Sequence, residues 1–432
     1  MRNEVKSVSL LWVSSIFGSG STFLLYILLA RSLGVESFGA FGAAYTVAMF
    51  LVIVATFGIP QAMIKIFGRA GREGILWVGR AFTLLAITVG GAISILSLWA
   101  FVGGHDITVR YVFLWLSFFL LGQVGVELAV SKFQLEENYL YIALWQFLPN
   151  FSRLLLSAIL IYFLGDRFNI LFVSLVYAAV GIVSCVFAFT SMRKFRQGDF
   201  VLVGHGGASG GTYPNDEKRL VNFFSEAWPF FLAALFAFIY LQIDIVMLKY
   251  ISGDEEAGLY NVAFVIINAA IIFPSVLYSK FFFSKYQIWA HSDFDKLRSA
   301  YLSGNKFMLV LGVAGGVILV LISWWLVPTL FGIGYVRSVT ALNILALSLP
   351  LYFVAYSAGA VLTTGKQIRK KISLMGMAAL INLILNFLLI PSFGMVGAAV
   401  STVISNFVLL LLYLKAASRL FSGGRGAYVG KN

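Results

Sequence analysis

Long apolar runs, broken at intervals by short polar stretches, dominate the chain. A helix needs about 20 apolar residues to cross a hydrocarbon core of about 30 Å. Runs of that length recur twelve times, over roughly 8–30, 38–58, 81–102, 111–130, 142–164, 169–190, 222–247, 257–278, 305–328, 339–362, 374–391 and 395–415. None shows the two-residue alternation of a membrane-spanning β-barrel, so the pattern predicts twelve transmembrane helices. The first run is too long, and too poor in small-residue cleavage signals, to be a removable signal peptide. Arg2 and Lys6 ahead of it mark an uncleaved start.

Composition and charge agree with that pattern. Of the 432 residues, 60% are hydrophobic, 16% aromatic and only 11% charged, with a mean hydropathy of +0.92. Soluble proteins carry about 25% charged residues, so there is too little charge here to coat soluble domains. A soluble enzyme, a coiled coil, a disulfide scaffold and a disordered chain are excluded. The net charge of +13 would suit a nucleic-acid partner, but the placement of the charges argues against one. With the N-terminus in the cytoplasm, twenty-five of the 31 Lys and Arg residues fall in cytoplasmic segments. Five (Arg31, Arg110, Arg167, Lys249 and Arg337) fall on the other side, and Arg153 lies inside a span. This asymmetry is the positive-inside rule. It predicts a multi-pass protein of the cytoplasmic membrane with both termini cytoplasmic and no nucleic-acid partner. Cys185 is the single cysteine, and His105, His205 and His291 are far apart in sequence. No metal-ligand spacing results, so neither a metal nor a cofactor is expected.

One connection, 191–221, is long. It is rich in glycine and charge, and its GHGGASGG run lacks the Lys-Ser/Thr ending of a phosphate-binding loop. It reads as a flexible cytoplasmic linker between a six-helix lobe at 1–190 and a second at 222–415, with a cytoplasmic tail at 416–432. The halves resemble each other. GVESFGAFGAAY at 34–45 matches GDEEAGLYNVAF at 253–264 at a constant offset of 219. Six spans per copy keep the second copy parallel to the first. Parallel repeats about an axis along the membrane normal are a recurring plan of secondary transporters, with the substrate path between the halves.

The repeated stretch belongs to a wider set of motifs. LLARSLGVESFGAFGAAY (28–45) resembles the opening signature of polysaccharide flippases in the multidrug/oligosaccharidyl-lipid/polysaccharide (MOP) exporter superfamily. Further pieces of that pattern follow in order: Asp244-Ile-Val-Met-Leu leading into Ala257-Gly-Leu-Tyr-Asn-Val-Ala, then Leu330-Phe-Gly, then NLILNFLLIPSFGMVGAAVST at 382–402. The resemblance is closer to the Wzx-like O-antigen and exopolysaccharide flippases than to the multidrug (MATE) branch, and looser still to the lipid II flippase branch. It implies an all-α integral membrane protein with a MATE/MOP-like fold, its twelve helices in two six-helix lobes around a cavity that opens alternately to each side. The implied cargo is an oligosaccharide on a polyprenyl-pyrophosphate carrier, moved from the cytoplasmic to the outer leaflet. Physics supports the need for a protein path across the membrane. A diphosphate and a sugar chain cannot enter hydrocarbon without a cost of at least several kcal/mol. No covalent step is required, so no enzymatic activity is expected.

Ionisable residues at membrane depth mark function by default, and four lie within the spans: Glu127, Arg153, Glu226 and Asp244. Arg153 sits about 17 Å into its span at about 1.5 Å per residue, near the midplane. It follows Pro149 and Asn150, where the helix is expected to kink or open. A guanidinium matches phosphate oxygens in bidentate geometry, which makes Arg153, with Asn150, a candidate contact for the pyrophosphate. Pairing with an acidic side chain is the structural alternative. Arg31 and Lys249 occupy equivalent outer positions, where they either receive the diphosphate after crossing or anchor the spans. Asn382 and Asn386 share one face of the eleventh span, lining a cavity or hydrogen-bonding between helices. Asp244 and Glu127 are candidates for H+ or Na+ coupling, or for a contact between lobes. Glu226 reads as interfacial. Lys65, Arg69 and Arg72 suit anionic membrane lipids.

Two other functions compete with the flippase reading. A cation-coupled multidrug exporter of the same superfamily would share the architecture, although the first span contains no acidic residue. A membrane-embedded glycosyltransferase or polymerase has one foothold, Asp293-Phe-Asp295, since paired aspartates can hold a metal and a nucleotide-sugar diphosphate. Ser292-Asp-Phe-Asp295 reads better as a capping box opening a short surface helix.

Overall fold

The computed structural model describes residues 2–202, 220–363 and 367–422, and every regular element among them is helical. The first half runs α1 (Arg2–Leu33), α2 (Val35–Thr56), α3 (Ile59–Ala70), α4 (Ile75–Val102), α5 (Ile107–Leu135), α6 (Tyr139–Leu164) and α7 (Ile170–Arg196). The second runs α8 (Leu220–Ser252), α9 (Asp254–Val276), a π-helical turn (Leu277–Phe282), α10 (Phe283–Ser292), α11 (Phe294–Phe331), α12 (Ser338–Ala346), α13 (Ser348–Val361) and α14 (Ile368–Ser422). The glycine-rich run at 204–211, with His205, and the tail beyond 422 lie outside the described residues.

Among the described residues, nine helical stretches are long and apolar enough to cross a membrane. A tenth is formed by α12 and α13 together, bent by 42°. Pro350 explains that bend: its ring offers no N–H to the Ala346 carbonyl one turn earlier, which loosens the chain at Leu347. Two of the nine stretches far exceed one crossing, at 68 residues (Val35–Val102) and 55 residues (Ile368–Ser422). Each contains a backbone break. Phe57 and Gly58 both take positive φ between α2 and α3, and Gly394 (φ 52°, ψ −131°) interrupts α14. Twelve crossings are consistent with this arrangement.

The chain divides into two compact units, Met1–Leu33 with Ala43–Leu235, and Gly34–Gly42 with Phe236–Asn432. The boundaries fall between α1 and α2, inside α2 and inside α8. In the first unit α5 lies along α7, and α1 along α6. A Cβ on Gly122 would fall 2.4 Å from the Cα of Gly181, so the α5 and α7 backbones touch there, as small residues permit between membrane helices. Beneath α3, Ile59, Ile66 and Phe67 join Trp77, Phe195 and Phe223 in a buried cluster. The polar face of α3 places Lys65 and Arg69 at 2.7 and 3.5 Å from Glu226, an arrangement that suits an amphipathic helix at an interface.

In the second unit α11 packs on α13 and α9 on α12. Here the sequence repeat becomes a structural one. Gly34 and Gly253, 219 residues apart, both take positive φ (76° and 97°) and precede α2 and α9. A Cβ on Gly39 would fall 1.9 Å from the Asp254 carbonyl oxygen, and one on Gly258 would fall 2.2 Å from that of Val35. Val35 and Asp254 are themselves related by the same offset, so the two copies meet reciprocally. Nearby, Arg337 bridges Glu255 and Glu256 at 2.6 and 2.7 Å. Glu256 also accepts the Met395 N–H at 2.8 Å, beside the Gly394 break.

The expected capping box is corrected in two respects. Asp293, not Ser292, is the N-cap, its side chain accepting the Lys296 N–H at 3.0 Å. The helix it opens is no short surface helix but the 38-residue α11, which runs on through Gly304 into the apolar stretch that follows.

Candidate functional site

The first unit encloses a polar cavity of about 380 Å³. Helical spacing explains its lining. Gln146, Asn150 and Arg153 fall at i, i+4 and i+7 on one face of α6, and Gln123 and Glu127 at i and i+4 on α5. α1 contributes Ser14, Ser15, Ser19 and Thr22 from a second such stripe. Lipid would leave these groups unsatisfied, so polar side chains at this depth belong against protein or water. Arg153 is only 4% exposed. Its Nη1 donates to Asn150 Oδ1 at 3.2 Å, and its guanidinium lies 4.9 and 5.0 Å from the ring centroids of Phe119 and Tyr177. Those rings come from α5 and α7, the helices that Gly122 and Gly181 bring into contact. No carboxylate lies within ion-pair distance among the described residues, and Nε has no partner. The guanidinium carries five N–H donors in a fixed fork, and most remain available. α6 continues through Pro149 as a single helix, so the chain does not open there.

A second polar cluster is buried in the other unit. Asp244 on α8 is 1% exposed. Its carboxylate accepts from Tyr260 at 2.6 Å, lies 2.6 Å from Thr402 Oγ1 and accepts from Asn386 Nδ2. Asn386 also donates to Asn382 Oδ1 at 3.1 Å, and Asn382 donates to Ser405 Oγ at 3.3 Å. No basic side chain pairs with Asp244 among the described residues. Such a network can hold a carboxylate with its lone pairs satisfied, or a proton or small cation in their place.

The structure thus regroups the candidates. Arg153, Asn150 and Glu127 share one cavity. Asn382 and Asn386 are fully buried against Asp244 and lie outside the lining of the cavity that holds Arg153. Lys249 is engaged with Asp254 at 2.5 Å, and Arg31 is exposed in the last turn of α1. The α1 hydroxyls and the two glutamines were missed, although a run of small polar residues at helical spacing within an apolar span was a usable signal.

Comparison with known proteins places the chain. A family model described as "Polysaccharide biosynthesis protein" matches residues 5–280. Capsular polysaccharide biosynthesis protein CapF of Staphylococcus aureus is 22% identical over 428 residues, covering 96% of this chain and 100% of CapF. An uncharacterized membrane protein of Methanocaldococcus jannaschii is 22% identical over 418 residues, covering 94% of this chain and 96% of that protein. The fold is similar to lipid II flippase MurJ in an inward closed conformation (TM-score 0.73, 15% identity, 95% of this chain and 87% of that one). It is also similar to an inward-facing multidrug resistance MATE family transporter of the MOP superfamily (TM-score 0.69, 17% identity, 94% and 95%). The expected all-helical, MOP-like membrane fold is borne out, and the chain belongs to the polysaccharide biosynthesis protein family.

Proposed function

We propose that this protein flips an oligosaccharide linked to polyprenyl pyrophosphate from the cytoplasmic to the outer leaflet of the cytoplasmic membrane. The observation that carries the reading is Arg153, a buried guanidinium in a polar cavity with no carboxylate paired to it. A desolvated charge of this kind is costly until a counter-charge arrives, and a diphosphate supplies one in the geometry a guanidinium prefers. The α1 hydroxyls and the amides of Gln123, Gln146 and Asn150 suit the hydroxyls of a sugar. Similarity to a capsular polysaccharide biosynthesis protein and to a lipid II flippase supports a lipid-linked saccharide as the cargo class. The lysine and arginine asymmetry supports cytoplasmic termini, and the repeat supports alternating access by two six-helix lobes (1–190 and 222–415). Asp244 is the candidate group for coupling to H+ or Na+. The reaction is translocation, with no bond made or broken.

The test is flipping in proteoliposomes that carry a polyprenyl-pyrophosphate oligosaccharide on one leaflet. Wild type should move it across, and Arg153→Met should lose at least about tenfold in rate, the effect of about 1.4 kcal/mol. Transport of cationic dyes without movement of the lipid-linked sugar would instead establish the drug-export alternative.

A further inference from the structure

The second unit contains another cavity, of about 390 Å³, which the reading above leaves unused. Five tyrosines line it: Tyr240 from α8, Tyr278 from the π-helical turn, Tyr352 and Tyr356 from α13, and Tyr413 from α14. Lys371, near the start of α14, joins the same wall. The wall is built around a glycine. A Cβ on Gly359 would come within 2.9 Å of the Tyr413 ring and 3.5 Å of Lys371 Cε, so a side chain there would crowd both. Tyr240 is held in place by donating its hydroxyl to Asn406. Lys371 enters no ion pair or hydrogen bond among the described residues.

An ammonium drawn among rings without a counter-ion is a poor structural element, because its desolvation is not offset. It is a good receptor for an anion, since lysine binds phosphate as a compact point charge. Tyrosines present flat apolar faces with a polar edge, the chemistry that meets a pyranose ring through its C–H face and its hydroxyls together. The volume lies near the low end of ligand pockets, about 300–1,000 Å³, and so fits the head-group end of a lipid-linked saccharide better than a whole oligosaccharide.

We infer that this cavity is a second subsite for the cargo, with Lys371 on a phosphate and Tyr240, Tyr352, Tyr356 and Tyr413 around the phosphate-linked sugar. The inference rests on the flippase reading above. Neither Lys371 nor this tyrosine set was among the candidates drawn from the sequence.

The test uses the full-length protein in nanodiscs. Binding is measured for three probes: undecaprenyl diphosphate carrying a disaccharide, undecaprenyl diphosphate alone, and neutral undecaprenol. Lys371→Gln should weaken both diphosphate probes at least about tenfold, the scale of a lost charged hydrogen bond, without affecting undecaprenol. Lys371→Arg should restore most of that loss. Tyr356→Ala should weaken the disaccharide probe more than the bare diphosphate, and it carries the test if Lys371→Gln does not fold. Wild-type binding by a folded Lys371→Gln protein, checked by its thermal midpoint, or equal losses for both diphosphate probes in Tyr356→Ala, would overturn the subsite while the flippase reading stands. A wild-type protein that neither binds nor flips the lipid-linked disaccharide would overturn both.

Discussion

Arg153 is placed where a charge is hard to keep. Its two aromatic neighbours contribute about 2 kcal/mol each in a desolvated setting, and Asn150 adds one charged hydrogen bond. Against this stands a desolvation penalty of several kcal/mol for the ion. The balance predicts that Arg153→Met leaves the thermal midpoint in detergent unchanged or raises it, while flipping falls. A purely structural arginine would show the opposite, a lower midpoint. Asp244 makes the contrasting case, because its oxygens satisfy donors on Tyr260 and Asn386 and lie beside the Thr402 hydroxyl. Asp244→Asn turns one acceptor into a donor facing other donors and should cost about 1–3 kcal/mol, the penalty of an unsatisfied buried polar group. If Asp244 couples transport to a gradient, the rate in this variant should also stop responding to an imposed H+ or Na+ gradient. A response equal to wild type would remove Asp244 from coupling.

Helices in this protein meet through their smallest residues. The crossing of α2 and α9 at Gly39 and Gly258 has backbone on both sides, so a side chain introduced there cannot be accommodated by a rotamer change. Gly258→Leu should therefore cost at or above the upper end of the usual overpacking range, about 1–3 kcal/mol, and lower the thermal midpoint accordingly. A neutral result would mean that the crossing is looser than its geometry. The same principle positions the candidate site: Gly122 against Gly181 brings α5 and α7 together, and with them the rings that flank Arg153. The α12–α13 bend and the break at Gly394 have local causes, a proline without an N–H and a glycine at positive φ.

Orientation in the membrane is a property of the full chain and can be checked directly. In a Cys185→Ala background, Asp166→Cys should react with an impermeant thiol reagent from outside the cell, and Asp295→Cys should react only after permeabilisation. The reverse pattern would invert the topology and the direction of transport. Hydropathy carried the helical membrane class in plain view, because crossing a bilayer imposes a length and a composition that no distant contact can override, and charge placement predicts this orientation. The repeat at offset 219 was equally visible. Asn150 and Arg153 could be paired from sequence because they sit one turn apart. Helical period determines which residues share a face along one helix but not which helix that face meets. That partner is chosen by long-range packing, through close backbone approaches such as Gly122 on Gly181 and Gly39 on Gly258. Packing of that kind put Glu127 with Arg153, drew Asn382 and Asn386 onto Asp244, and set Lys371 among tyrosines from four separate elements.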